Sequence, residues 1–236
     1  MSVLNVAKCV FDALFPIECL ICKTAVVADG LCGECWGKFH LLNTPACARC
    51  YKQLPYDLGN YLCGKCVKGR FYVDIIRSPV AYDDFSKKLI MGFKNFCNIR
   101  AAKIMAKLMA NNIQDLHADY IVAVPLHFYR LVQRGYNQSE MLAKYMASNL
   151  NLEYIKDMLY RSRFTQSQSN FSAKGRAINI AHAFTFNHNY NVNIKGKSIL
   201  LVDDVYTTGS TLEECAKVLK KYGAKYVYAA TGAMRC

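Results

Sequence analysis

Asp203 and Asp204 are adjacent carboxylates, and five residues of a small, hydroxyl-rich run follow closely: Thr207, Thr208, Gly209, Ser210 and Thr211. The apolar stretch 199–202 precedes them, and Leu212 opens a helical pattern. A strand, a short polar loop and a helix start make an anion pocket, because unpaired N–H groups and the positive end of the helix dipole converge there. Gly209 and the small hydroxyl residues let a phosphate come close to that backbone. Two carboxylates beside it suit vicinal hydroxyls or a metal ion. The ligand that fits is a sugar phosphate with free ring hydroxyls, accompanied by Mg²⁺. Asp-Asp after a strand also serves as a helix cap, and Thr/Gly/Ser loops are ordinary turn chemistry. The order in which all the parts occur favours the site.

A second group lies upstream: Pro125, Leu126, His127, Arg130 and Arg134. The run 120–124 reads as a buried strand ended by Pro125, and ligands in open α/β sheets bind beyond the carboxyl ends of strands. Arg130 and Arg134 are four apart, so one helical turn puts them on one face, where they could fork onto a pyrophosphate. His127 fits a structural hydrogen bond as well as a ligand role. Asn137 is placed to cap the next helix. The stretch 161–179 is polar and reads as a loop of lid type leading into a helix near 172–180.

Eight of the twelve cysteines form CxxC pairs: Cys19/Cys22, Cys32/Cys35, Cys47/Cys50 and Cys63/Cys66. Two such turns complete a tetrahedral Cys₄ site, so eight ligands imply two structural Zn²⁺ ions. Sequential pairing gives a double zinc ribbon; a cross-braced pairing fits the spacing too. So small a module has few apolar residues to bury, and structural zinc contributes about 10–16 kcal/mol per site in finger peptides. Disulfides are the competing use, and they belong to secreted chains. Cys9, Cys97, Cys215 and Cys236 stand alone. Trp36, Phe39 and Tyr51 could stack on bases or fill the module's core, and the core is the favoured reading.

These groups must be positioned by a chain of 236 residues with mean hydropathy near zero and 53% apolar residues, enough for one ordinary domain and a small module. The expected architecture is α/β: a parallel sheet flanked by helices, preceded by the Cys-rich module. The divisions expected are an N-terminal helix over 1–15, a double zinc ribbon over 16–72 and the sheet domain over 73–236. Extended segments are expected at 74–82, 184–186 and 226–231, with helical stripes over 85–95 and 101–113. Residues 187–193 form an Asn-rich turn. No apolar stretch is long enough for a membrane span, and the N-terminus lacks the basic start and cleavage site of a signal peptide, so the expectation is a cytoplasmic protein without membrane insertion. Net charge is +13, of which residues 1–72 hold +3 and residues 73–236 hold +10. That field favours polyanions such as nucleotides or nucleic acid, although scattered lysines also occur on any solvated surface.

The stretch 198–212 resembles the signature for 5-phosphoribosyl pyrophosphate (PRPP) in type I phosphoribosyltransferases. The resemblance implies that Asp203 and Asp204 hold the ribose 2′- and 3′-hydroxyls while residues 207–211 wrap the 5′-phosphate. The zinc knuckles ahead of it, Val124-Pro125-Leu126-His127, Arg134-Gly135-Tyr136-Asn137-Gln138, Thr165-Gln166-Ser167-Gln168, and Arg176-Ala177-Ile178-Asn179 make the whole chain similar to the ComF family of bacterial competence proteins. That resemblance implies handling of incoming single-stranded DNA in natural transformation, with a helicase-like ATPase and recombination proteins as partners. An active phosphoribosyltransferase with an unknown acceptor, or a PRPP-sensing regulator, fits the same site. Thr207 stands where purine salvage enzymes of the wider superfamily carry a proton-handling carboxylate, so no base for a purine is visible in the loop. The chain stops close after the last expected strand, which leaves the zinc module and residues 73–82 to supply any hood over the acceptor.

Overall fold

The structure is a computed structural model that describes residues 17–28, 30–43, 45–56, 59, 61–95, 97–162, 182–189 and 192–235. The expected N-terminal helix, most of the 161–179 loop with the helix after it, Cys9 and Cys236 lie outside the described residues.

Two longer strands carry the sheet: β7 (Ser198–Tyr206) and β8 (Tyr226–Met234), parallel and paired from Ser198↔Tyr226 to Tyr206↔Met234. On the other side of β7 come β3 (Tyr120–Ala123) and then β4 (Glu153–Tyr154), both parallel. β1 (Ile75–Arg77) and β2 (Val80–Ala81) both pair with the far edge of β8. The single extended segment expected over 74–82 is thus interrupted at Ser78-Pro79, since Pro79 has no N–H to give to a ladder. The register continues across the break, from Ile75↔Tyr228 to Val80↔Ala233.

Side-chain alternation along β7 divides the core into two faces. Leu200 and Val202 pack with α3 (Asp84–Asn95), α4 (Ile99–Asn111) and α6 (Gln138–Leu150), through Leu89, Phe93, Met105 and Met146. Ile199 and Leu201 pack with α7 (Ser210–Lys221) and with the antiparallel pair β5 (Leu159–Arg161) and β6 (Phe184–Phe186). Among the described residues the remaining helix of this part is α5 (Phe128–Arg134). These are the expected parallel sheet and flanking helices, with Phe184–Phe186 extended as read and β5 added.

The strand before the aspartates is longer than expected. Asp203 and Asp204 are inside β7, not beyond it, because β8 accompanies β7 as far as Tyr206. That contact is close at Gly232, where a Cβ would stand 2.9 Å from the Asp204 carbonyl oxygen and 3.1 Å from Met105. β8 likewise runs past the expected end at Thr231 to Met234.

The cysteine-rich part precedes the sheet and contains two short helices, α1 (Gly33–Gly37) and α2 (Gly64–Lys68). Each half repeats one plan: a bridged turn, Glu18↔Ala25 or Ala46↔Gln53, then a helix start with Cys32 or Cys63 at its N-cap. The residue after each turn's second cysteine is left-handed, Lys23 at φ 67° and Tyr51 at φ 60°. Between the halves, the chain pairs with the sheet: Leu42 N–H donates to Pro79 O (2.9 Å) and Ala81 N–H to His40 O (2.9 Å). This antiparallel contact covers part of an exposed sheet edge. Phe39 and Leu42 are buried against the sheet domain, Phe39 edge-on to Phe85 at 5.7 Å. The Tyr51 hydroxyl donates to Leu42 O and lies 3.2 Å from Asn112 Nδ2. The favoured reading, that Trp36, Phe39 and Tyr51 fill the module's own core, is corrected in two ways: Phe39 and Tyr51 pack toward the sheet domain, and Trp36 is partly exposed.

Candidate functional site

Because β3 and β7 are adjacent and parallel, their carboxyl ends bring the two sequence clusters to one place. A cleft of about 480 Å³ is lined by Asp203, Asp204, the loop Thr207–Thr211, Pro125, Leu126, Arg130 and Arg134. His127 is not in the lining; its Nδ1 accepts from Tyr129 N–H (3.2 Å) as the N-cap of α5. Asn137 caps α6 as expected and donates from Nδ2 to Val124 O (3.1 Å), which fixes the loop between the arginines and that helix.

The loop earns its shape from Gly209, which caps α7 at φ 82°. A Cβ there would lie 2.8 Å from the Tyr206 ring, so glycine is needed both for its dihedral and for the close approach. The Thr208 and Ser210 hydroxyls are 3.0 Å apart and face a common space.

The adjacent aspartates of β7 find different partners, on α3 and on α6. Asp204 reaches α3, where its Oδ2 is 2.6 Å from Lys94 Nζ. Asp203 accepts from the Ser139 hydroxyl (2.9 Å) and from Asp204 N–H (2.9 Å) through Oδ1. Burial first, and the Asp204 charge second, push the Asp203 carboxyl up to about 7; the two hydrogen bonds and Lys94 oppose that rise.

Among the described residues five cations line the cleft, Lys94, Arg130, Arg134, Arg161 and Arg235, against two carboxylates. Burial, and then the charge of Arg134, pull the Arg130 guanidinium below its ordinary value, with Asp204 acting in the opposite sense. Burial and the Arg130 charge do the same to Arg161. Such crowding is relieved by a polyanion. Tyr82, Lys94, Gln138, Ser139, Tyr206 and Arg235 were not singled out from the sequence as site residues. Lys94 and Arg235 come from segments far from the motifs in sequence, and only the strand order unites them.

The eight CxxC cysteines gather as two clusters, Cys19, Cys22, Cys32, Cys35 and Cys47, Cys50, Cys63, Cys66, each with ligand atoms within 4.8 Å of one another. Pairing is thus sequential, not cross-braced. Sulfur separations of 3.5 Å for Cys22/Cys32 and 3.7 Å for Cys50/Cys63 match the roughly 3.8 Å edge of a tetrahedron with Zn–S of about 2.3 Å. Each cluster repeats a supporting hydrogen bond, Cys32 N–H to Cys19 Sγ (3.3 Å) and Cys63 N–H to Cys47 Sγ (3.2 Å). Burial raises the Cys19 and Cys47 thiols, yet the backbone N–H donors outweigh it and bring both down to about 6. Burial and the neighbouring sulfurs push Cys35 up to about 12, and burial leads the rise of Cys66. Four thiolates this close need a cation to ionise together, so the donor set fits Zn²⁺.

Residues 98–234 match the phosphoribosyl transferase domain family, and residues 10–67 match the double zinc ribbon domain. The chain is 29% identical over 222 residues to Competence protein F of Haemophilus influenzae, covering 90% of this chain and 95% of that one. It is 28% identical over 223 residues to DNA utilization protein YhgH of Escherichia coli, with 90% and 94% covered. Competence protein ComFC of Streptococcus pneumoniae is 27% identical over 230 residues, with 89% and 97% covered. The combination of domains expected from the ComF resemblance is the combination found.

Proposed function

The chain belongs to the phosphoribosyl transferase domain family, and from that premise we propose that its cleft binds PRPP with Mg²⁺ and that the protein serves DNA utilisation during competence. Asp203 and Asp204 accept the ribose 2′- and 3′-hydroxyls. The hydroxyls and N–H groups of Thr207–Thr211, at the start of α7, hold the 5′-phosphate. Pro125 and Leu126 shape the wall on which Arg130 and Arg134 meet the pyrophosphate, with His127 fixing the start of their helix. Mg²⁺, when bound with PRPP, screens the charge between the pyrophosphate and the acidic pair. The observation that carries this reading is the single cleft in which the acidic pair, the loop and both arginines meet.

The DNA role draws on the names of the relatives and on the second ribbon, where exposed Tyr61 and Tyr72 accompany exposed Lys65, Lys68 and Arg70. Aromatic faces stack on bases and cations meet phosphates. Single-stranded DNA, a helicase-like ATPase and recombination proteins are the partners proposed, acting in the cytoplasm; no helix among the described residues is long and apolar enough to cross a membrane. Phosphoribosyl transfer to an acceptor is the second reading, which the shared domain favours. Asp203 and Asp204 are the only carboxylates in the described lining, so an acceptor that must lose a proton finds no spare base.

Titration of the zinc-loaded protein with PRPP, and then with single-stranded DNA, tests the proposal. The expected results are saturable Mg²⁺-dependent PRPP binding and DNA binding that weakens steeply with salt. Absence of PRPP binding would sink the reading of the cleft. Pyrophosphate release with any member of a panel of bases and amines would move the assignment to the transferase.

A further inference from the structure

Lys94, like Arg235, is a cleft cation with no place in the sequence motifs. It lies in the last turn of α3, and its Nζ is 2.6 Å from Asp204 Oδ2. The end of that helix is tied to the arginine-bearing segment. The Tyr136 hydroxyl, two residues after Arg134, donates to Phe93 O (2.5 Å) and accepts from Cys97 N–H (3.0 Å). The backbone that carries Lys94 is therefore fixed beside the wall assigned to the pyrophosphate, while its ammonium reaches across to the acid assigned to the ribose.

From this placement we propose that Lys94 determines specificity for the diphosphate: it pairs with Asp204 and transfers to the pyrophosphate when PRPP enters. The inference rests on the PRPP reading of the same cleft. An ammonium is a compact charge on a flexible stem with three rotatable donors, so it can change partner by pivoting, which a forked guanidinium does less readily. A diphosphate offers more negative charge than one carboxylate. Once the ammonium turns to it, Asp204 is released to accept from the ribose hydroxyls. A ligand that has ribose but no diphosphate must compete with Lys94 for Asp204. Ribose recognition is thereby made conditional on the diphosphate, which separates PRPP from ribose 5-phosphate by a competition for one carboxylate.

The test is calorimetric titration of wild-type protein, Lys94→Gln and Lys94→Arg with PRPP, inorganic pyrophosphate and ribose 5-phosphate, each with Mg²⁺. Zinc content and the melting temperature report whether the variants are folded. The inference expects Lys94→Gln to weaken PRPP and pyrophosphate by about tenfold or more, the scale of one lost charge-assisted hydrogen bond. Ribose 5-phosphate should bind as well as to wild type or more tightly, and Lys94→Arg should restore the preference for PRPP only in part, because a guanidinium pivots less readily. Equal weakening of all three ligands would make Lys94 a support for the site and overturn the proposal, as would no change in PRPP affinity. If wild-type protein binds ribose 5-phosphate and PRPP equally well, the proposal fails while the sugar-phosphate cleft stands. If wild-type protein binds neither, the PRPP reading itself falls, and the Lys94 assignment with it.

Discussion

Replacing Asp204 by Asn removes one charge from the cleft and little volume, so its consequences can be followed group by group. A hydrogen bond to a charged acceptor contributes about 1.5–3 kcal/mol, against about 0.5–1.5 kcal/mol for a neutral one. A ribose hydroxyl held by the amide oxygen in place of the carboxylate therefore loses about 1.4 kcal/mol, or tenfold in affinity. Lys94, 2.6 Å away, loses its anionic partner, and the described lining changes from two carboxylates to one against five cations. Extra positive charge favours any polyanion, so inorganic pyrophosphate should bind as tightly as before or better. Asp204→Asn should weaken PRPP and ribose 5-phosphate by roughly tenfold while sparing pyrophosphate. The pH dependence supplies a second readout. Burial and the Asp204 charge raise the Asp203 carboxyl from 3.8 to about 7, so the folded chain binds a proton across that window that the unfolded chain has released. The stability this provides is full below the unfolded value and is lost as pH rises through about 7. Binding of a ribose to the ionised pair runs the other way and weakens as pH falls through the same value. Without the Asp204 charge the Asp203 carboxyl ionises more readily, and the midpoint of PRPP affinity moves to lower pH. Calorimetric titrations between pH 5.5 and 8.5, roughly spanning the titration of Asp203, measure both effects. Unchanged PRPP affinity in the variant, or a parallel loss for pyrophosphate, would refute the assignment of Asp204 to the ribose.

Gly209→Ala places a Cβ at φ 82° and 2.8 Å from the Tyr206 ring, so it should lower PRPP affinity and cost about 1–3 kcal/mol of stability, seen as a lower melting temperature with zinc content unchanged. Leu42→Ala removes a side chain that is 1% exposed where the ribbon segment meets the sheet; about 2–5 kcal/mol of stability should be lost in chemical denaturation. Elemental analysis should find about two zinc ions per chain. Cys66→Ser should reduce that to about one, because the two clusters share no ligand.

Eight metal-ligating cysteines were legible from the CxxC spacing, but their sequential grouping was not, because a cross-braced pairing fits the same spacing and only the fold decides between them. The loop 207–211 and the arginines were legible because each follows its own strand. Their meeting was not, because it depends on β3 and β7 being neighbours, a property of strand order. Lys94 was beyond any local pattern: 110 residues separate it from Asp204, and on α3 it ends an amphipathic helix like any surface lysine. The length of β7 was misread because the hydrophobic run ends at Val202. The strand goes on through two carboxylates that would be expensive inside a core but are tolerated where the sheet opens into a cationic cleft. There the two acids meet different neighbours, the Ser139 hydroxyl for Asp203 and the Lys94 ammonium for Asp204.

The position of β8 in the sheet has a consequence for how the chain reaches this structure. β8 is the last strand among the described residues, yet it lies between β1 and β7, with Ile75 registered against Tyr228, 153 residues later. During synthesis the ribbon module and β1 and β2 emerge first, and the sheet edge that receives them does not exist until β8 has been made. The cysteine clusters close over short loops, and zinc can organise them early. For most of translation the first-made part can therefore be locally ordered while Phe39, Leu42 and the β1–β2 edge await partners. Pairing of β8 with β1 and β2 joins segments far apart in sequence, and the same event completes the cleft wall at Arg235 and Tyr82, so the ligand site forms only after β8 has been made.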